Sequence, residues 1–251
     1  MSESHRGAGR SSQEKYDSLT RSWRRRNRTV LYAAAGICSL VMVSSYLVAA
    51  RWPGVAWIAG VFGGVALTFW LIARWSPPGW IENWQTGAWG EQATAKVLAD
   101  LEDDRWVVMH DLPAGRGNID QIVVGAGGVF LLDSKRLGGS VSVDGGRVTV
   151  RRFDDPTLDY AHPGAEHLLR LATRAHHEVL TKTRLHVWVT PVMVLWADFP
   201  QQVVVDRCAF VHGDELTAWL HSQPRRIAPE RVRQVADLVR QSLEPGPAHT
   251  D

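Results

Sequence analysis

Two uncharged runs near the N-terminus decide what this chain can fold into. Residues 29–50 (TVLYAAAGICSLVMVSSYLVAA) carry no charge over 22 residues, and residues 53–73 carry none over 21. As helices rising about 1.5 Å per residue, each is long enough to cross a hydrocarbon layer of roughly 30 Å. Only Arg51 and Trp52 separate them, and Pro53-Gly54 follow at once, a composition that ends one helix and starts another. The sequence therefore predicts a transmembrane helical hairpin over 29–73. Two buried helices of a soluble bundle fit the length, uniform apolarity and flanks less well. A cleaved signal peptide also fits poorly, because the run starts late, exceeds about 15 residues and is followed directly by a second.

Flanking residues orient the hairpin. Trp23, Trp52, Trp75, Trp80 and Trp84 lie near the ends of the two spans, where an indole keeps its body in lipid and its N–H in water. Residues 1–28 hold eight Lys and Arg against three acids, most of the bases lying between Arg21 and Arg28. Basic residues beside a first span are kept on the cytoplasmic side, and two spans return the chain there. The expectation is a multi-pass cell-membrane protein with both ends cytoplasmic and anionic lipid head groups near Arg21–Arg28. Residues 74–251 hold 19 bases against 23 acids, so the overall charge of +2 reflects the membrane flank and gives no sign of a nucleic-acid groove. Cys38 and Cys208 are too few and too far apart for a disulfide framework or a thiolate metal site.

Along the chain, residues 1–28 read as a disordered polar tail and 74–82, with Pro77-Pro78-Gly79, as a linker. A globular domain occupies 83–251. Its pattern predicts a helix over 91–101, strands over 106–110, 119–124 and 129–135, and a second hairpin of 141–143 and 148–150 about Asp144-Gly145-Gly146. A helix over 164–180 follows, then strands over 186–196 and 203–211, with Pro191 demoting part of the former to an edge or bulge. Helices over 216–221 and 229–243 close the chain. This order predicts an α/β sandwich with a mixed sheet.

One stretch raises a question of charge. Residues 117–139 read GNIDQIVVGAGGVFLLDSKRLGG, a buried hairpin with an aspartate in each arm. With 125–128 as a four-residue loop, Val124 faces Val129 and Asp120 faces Asp133. Alternation then puts Asp120, Ile122 and Val124 on one face with Val129, Leu131, Asp133 and Lys135. Like charges at opposed positions are destabilising, so something positive should compensate. Lys135 supplies part of it; a divalent cation held by Asp120, Asp133 and the Ser134 carbonyl would supply more. Glu91, on the core side of its helix, could add a carboxylate. The plain alternative is that the aspartates mark exposed strand ends and Lys135 is an ordinary ion-pair partner.

Further residues carry a resemblance. Gly87-Ala88-Trp89-Gly90-Glu91, His110-Asp111-Leu112, the segment from Gly117 to Gly125 and the segment from Gly128 to Lys135 resemble, in order, the nuclease-related (NERD) domain of the restriction-endonuclease-like PD-(D/E)XK superfamily. The resemblance covers about residues 83–185. It implies a restriction-endonuclease-like mixed-sheet sandwich with helices on both faces, a Mg²⁺ or Mn²⁺ cofactor bound by Asp120 and Asp133, Lys135 assisting a water, and Glu91 completing the site. Asp133 stands where glutamate is common, Gln121 where histidine is frequent, and Glu166 where a glutamine is expected. Asn118 and Gln121, flanking Asp120, and Arg147 and Arg151, on one face of the second hairpin, are candidates for substrate contact. The Gly125–Gly128 stretch joins two strands and so reads as a turn and not a phosphate loop. His162, His167, His176 and His177 lack a zinc-binding spacing. Two functions follow: a membrane-tethered nuclease acting on DNA or RNA, or a nuclease-fold scaffold that binds nucleic acid or protein without turnover.

Overall fold

The computed structural model describes residues 10–75, 79–101, 105–114, 117–155 and 157–244. It divides into two compact units, one of Gln13–Gln85 and a larger one containing Thr86–Asp251. In the first unit, helix α1 (Arg10–Arg26) corrects the expectation of a disordered tail over 1–28; residues 1–9 lie outside the described residues. Gln13, Tyr16, Leu19, Thr20, Trp23 and Asn27 recur at helical spacing and are the sheltered residues of this segment, whereas Arg21, Arg24, Arg25 and Arg26 are exposed. The stripe mixes polar with apolar side chains, which hides its period from a count of apolar residues alone.

Helix α2 (Arg28–Arg51) takes up the first uncharged run, and a short 3₁₀ turn, Pro53–Val55, leads into α3 (Ala56–Trp75). The two helices pack on each other with Cys38, Ala59 and Ala66 buried and Gly63 close to Ser45. Elsewhere Ile37, Leu40, Val61, Phe62 and Phe69 are exposed, an apolar surface of the kind that marks interaction with an apolar phase or partner. With a mean hydropathy of 1.9 over its best window, α2 is long and apolar enough to cross a membrane; the described apolar stretch of α3, Trp57–Ile72, is shorter. The structure thus supplies one candidate span near the N-terminus where the sequence predicts two. The expected linker over 74–82 is also cut down, because α3 runs to Trp75 and α4 (Gly79–Leu98) starts at Gly79. Residues 76–78, and the side chains of Trp75, Trp80 and Trp84, lie outside the described residues.

In the second unit α4 is followed by β1 (Trp106–Ala114), β2 (Gly117–Gly125), β3 (Gly128–Asp144), β4 (Arg147–Arg152), β5 (Asp159–His162), α5 (Gly164–Thr183), β6 (Val189–Asp198), β7 (Val203–Val205), β8 (Ala209–His212), α6 (Leu216–Ser222) and α7 (Val232–Leu243). Among the described residues the sheet has eight strands in the order β1-β2-β3-β6-β8-β7, with β4 and β5 joined to the far half of β3. β6 runs parallel to both β3 and β8 and the other pairs are antiparallel, so the sheet is mixed as predicted.

Ile122, Val124, Val129 and Leu131 pack with Leu168, Ala172 and Val179 of α5 and Val235, Ala236 and Val239 of α7. Val123, Phe130 and Leu132 pack on the other face with Leu98 of α4 and Leu216, Trp219 and Leu220 of α6. Helices cover both faces of the strand alternation that the sequence displays.

Four local features differ from expectation. The β2–β3 hairpin closes on Gly125 and Gly128, leaving a two-residue turn in place of a four-residue loop, yet Val124 still faces Val129 and the register is unchanged. The second hairpin is no separate element: β3 runs on through Gly138-Gly139, its register against β6 shifting between Arg136 and Ser140, and then pairs with β4. The predicted strand over 203–211 divides into β7 and β8 at Asp206–Cys208, where the Asp206 N–H donates to the Cys208 carbonyl at 3.1 Å. β5 extends the sheet where no strand is predicted. Pro191 lies in β6 before its ladder to β8 begins at Val192, so its missing N–H falls on a stretch that is still an edge.

Candidate active site

The β2–β3 ladder ends at Gln121–Leu132, one step short of Asp120 and Asp133. The adjoining β1–β2 ladder passes from His110–Gln121 to Leu112–Ile119 without a bridge at Asp111–Asp120, and Asp111 has a left-handed backbone, φ 55°. Asp120 therefore sits where pairing loosens on both sides of β2. Alternation directs it, with Asp133 and Lys135, to the face covered by α5 and α7, as the sequence predicts.

Asp133 lies within side-chain reach of Asp120, and the Asp120 pKa is well above the ordinary carboxyl range. Burial is the largest cause, followed by the Asp133 and Glu91 charges; Lys135 opposes them. Lys135 Nζ donates to Asp133 Oδ1 at 2.6 Å, with the two side chains 32% and 18% exposed. Burial disfavours the ammonium, but contact with Asp133 and the fields of Asp120 and Glu91 outweigh it, so its pKa is raised. The plain alternative of exposed strand-end acids does not describe this arrangement. Two half-buried acids face one ammonium, an excess of negative charge that a hard cation would offset.

The ladder also settles where the Ser134 backbone points. Gly125 and Gly128 close the hairpin, so alternate β3 residues from Gly128, Ser134 among them, turn their backbone polar groups toward β2. At Ser134 that pairing has stopped, which leaves its carbonyl facing the gap beside Asp120. Asp120, Asp133 and this carbonyl thus suit a divalent cation that completes its shell with water or phosphate. Among the described residues no group of three or more His, Cys, Asp or Glu side chains is placed to hold a metal, and the Glu91 charge raises the pKa of both Asp120 and Lys135. Burial pushes the Cys208 thiol up to about 12, so it supplies no thiolate.

A buried polar network that the sequence pattern does not announce holds α4 in place. Thr94 Oγ1 donates to the Gly90 carbonyl at 3.1 Å, accepts from Trp196 Nε1 at 2.8 Å and lies 2.7 Å from Ser134 Oγ. With its own proton so engaged, Thr94 receives the Ser134 hydroxyl proton. Gln121 Nε2 donates to the Glu91 carbonyl at 3.0 Å. Gln121 is fully buried, which corrects its candidacy for substrate contact: it fixes the Glu91 backbone over the sheet. The available signal was a set of small polar residues, Thr94 and Ser134, at positions facing the core.

The other candidates separate. Asn118 is exposed at the end of β2 and donates to Asp111 Oδ1 at 2.8 Å. Arg151 is held by Asp159 through two bonds of 3.1 and 3.2 Å, so it is engaged on β5 and not presented to the centre. Arg147 lines a cleft of about 530 Å³ together with His162, Glu166, Asp206 and Arg207. His162, which lines the cleft, also feels the charges of the centre. Burial lowers its pKa and Lys135 lowers it further, with Asp133 opposing. Its Nδ1 accepts the Gly164 N–H at 3.1 Å, so the neutral ring carries its proton on Nε2. The sequence groups His162 with the helix histidines because β5 has no clear strand signal.

The mixed α/β sheet brings two aspartates and a lysine together where one hairpin opens, and a family match suggests a nuclease-like module. Residues 86–196, from within α4 to near the end of β6, match the nuclease-related domain (NERD). No curated protein and no solved structure matches the chain.

Proposed function

We propose that the chain is a membrane-anchored, metal-dependent hydrolase of nucleic-acid phosphodiesters, with a restriction-endonuclease-like catalytic domain on the cytoplasmic side. The observation that carries this reading is the close Asp120–Asp133 pair with Lys135 hydrogen-bonded to Asp133. Asp120, Asp133 and the Ser134 carbonyl would hold Mg²⁺ or Mn²⁺, which when bound supplies Lewis-acid polarisation of the phosphoryl group and a water of lowered pKa. Lys135, fixed by Asp133, donates to the attacking water or to phosphoryl oxygens as negative charge grows on them. Glu91, steadied by Gln121, strengthens the negative field that keeps Lys135 charged. Arg147 lines the same cleft as His162, which feels the charges of the centre, a position suited to a neighbouring phosphate.

The anchor rests on α2 and on the Arg21–Arg28 cluster beside it. Those bases keep the N-terminal flank cytoplasmic and draw anionic lipid, and a second pass through 53–73 returns the catalytic domain to the same side.

Cleavage of labelled single- and double-stranded DNA and RNA by the full chain, with Mg²⁺ or Mn²⁺, tests the reading. Lys135→Ala is expected to lower the rate roughly 10²-fold or more and to leave metal binding in place. Asp120→Ala is expected to abolish metal binding and cleavage together, and cleavage that survives it would come from a contaminant. A second reading, a scaffold without turnover, is favoured by the acidic balance of residues 74–251. Metal binding with no cleavage of any substrate selects it.

A further inference from the structure

Beside the carboxylate centre lies an exposed pair that the proposed chemistry does not use. Trp89 is 45% exposed, and the Arg136 guanidinium stacks on its ring, 5.2 Å from the centroid. Arg136 is itself exposed and makes no ion pair among the described residues. An aromatic ring left in water beside an uncompensated cation is poor packing and good ligand chemistry.

The location ties the pair to the centre. From Asp133 to Gly138 β3 has no strand on the β2 side, because the β2 ladder stops at Leu132 and the β4 ladder starts at Gly139. Helix α4 passes this open edge: a Cβ on Gly90 would lie 3.5 Å from the Arg136 backbone nitrogen. Gly90 is flanked by Trp89 and Glu91, and Arg136 follows Lys135. The residues that act on the reacting phosphate and the stacked pair are therefore immediate neighbours at one gap in the sheet, Lys135 reaching it from one face and Arg136 from the other.

We propose that Trp89 and Arg136 form a stacking platform for an unpaired base next to the scissile phosphate, so that the substrate is single-stranded nucleic acid. This rests on the hydrolase reading given above. A base can lie on an indole only if its π-face is free, which duplex pairing and stacking deny. The guanidinium adds cation–π attraction and a charge for the adjoining backbone, which compensates at one point for the acidic balance of the domain.

The test is anisotropy of labelled oligonucleotides on the full chain in detergent, with chelator to prevent turnover, comparing a single strand with its duplex. Trp89→Ala is expected to weaken single-strand binding about tenfold or more. Trp89→Phe should restore most of it, Arg136→Ala should weaken it, and duplex binding should change little throughout. With metal present, Trp89→Ala should raise KM for a single strand and leave kcat near the wild-type value. The chelator arm reads binding without turnover, so an inactive enzyme that still shows the Trp89 dependence defeats the hydrolase reading and keeps the platform. Equal single-strand binding by wild type and Trp89→Ala overturns the platform, as does an equal loss on single strand and duplex. Lost binding to anionic vesicles with unchanged oligonucleotide binding would assign the pair to lipid and overturn it too.

Discussion

Burial and neighbouring acids load Asp120 electrostatically, and its titration makes the metal-free protein sensitive to pH. Its folded pKa is raised, so between the ordinary value of 3.8 and that raised value the folded state holds a proton that the unfolded chain has released. Stability then falls as pH rises through this window, and the loss is complete above the folded pKa. Asp120→Asn removes both the titration and the like-charge opposition. The slope should flatten, and a gain of about 1 kcal/mol would raise Tm at neutral pH by about 2–4 °C. Thermal unfolding with chelator from about pH 4 to about pH 8 checks this; an unchanged slope in the variant would locate the repulsion elsewhere. Gln121 acts at the same scale by position. Gln121→Ala leaves the Glu91 carbonyl without its donor and should cost about 1–3 kcal/mol, with metal affinity preserved. Urea unfolding and calorimetric titration with Mn²⁺ separate the two effects, and lost metal affinity in a folded variant would move Gln121 into the centre itself.

Among the elements, β3 organises the domain, since it carries Asp133, Ser134 and Lys135 and joins the central sheet to β4 and β5. It does so by bending at Gly138-Gly139, and the two glycines differ. A Cβ on Gly139 would lie 2.3 Å from the Arg151 carbonyl oxygen, whereas one on Gly138 meets nothing within 4 Å. Gly139→Ala should therefore force β4 away and cost about 1–3 kcal/mol or more, while Gly138→Ala should be near neutral. Chemical unfolding of the two variants side by side is the measurement, and equal losses would mean that flexibility, not close approach, is what the kink needs. The same kink shows what a sequence discloses about an element. Register across β2–β3 was legible because Val124 faces Val129 with either a two- or a four-residue turn, and a period of two then fixes the face of both aspartates. The continuity of β3 was not, because a Gly-Gly pair looks the same as a stop and as a bend. Gln121 misled for a related reason: a polar residue in a strand reads as facing solvent or substrate until a helix is known to cover that face. In α1 the period was carried by Gln13, Thr20 and Asn27 as much as by Tyr16, Leu19 and Trp23, so only burial revealed it.

At the scale of the whole molecule the nuclease-related residues lie in Thr86–Asp251 and the apolar helix α2 in the preceding unit; the proposed function assigns catalysis to the first and anchoring to the second. A free domain with 22 acids against 18 bases would be repelled by a polyanion at long range, so any capture of nucleic acid would depend on short-range contacts. In the proposed reading, tethering would replace long-range attraction by local concentration: substrate close to the inner membrane surface would meet the site, and substrate elsewhere would not. That reading requires the domain to be cytoplasmic, the side on which the bases of α1 would hold the N-terminal flank and to which two passes would return the chain. A single cysteine placed at Gly54, with Cys38 and Cys208 replaced by serine, should react with a membrane-impermeant maleimide on intact cells. One placed at Ser222, exposed to the aqueous phase only on the catalytic side, should react only after the cells are opened. If α2 alone crossed the membrane, with the basic flank still inside, Gly54 and Ser222 would both label from outside. The pair of positions thus separates a two-pass anchor from a single span, and labelling at Ser222 on intact cells would put the centre on the side of the membrane where it meets no intracellular nucleic acid.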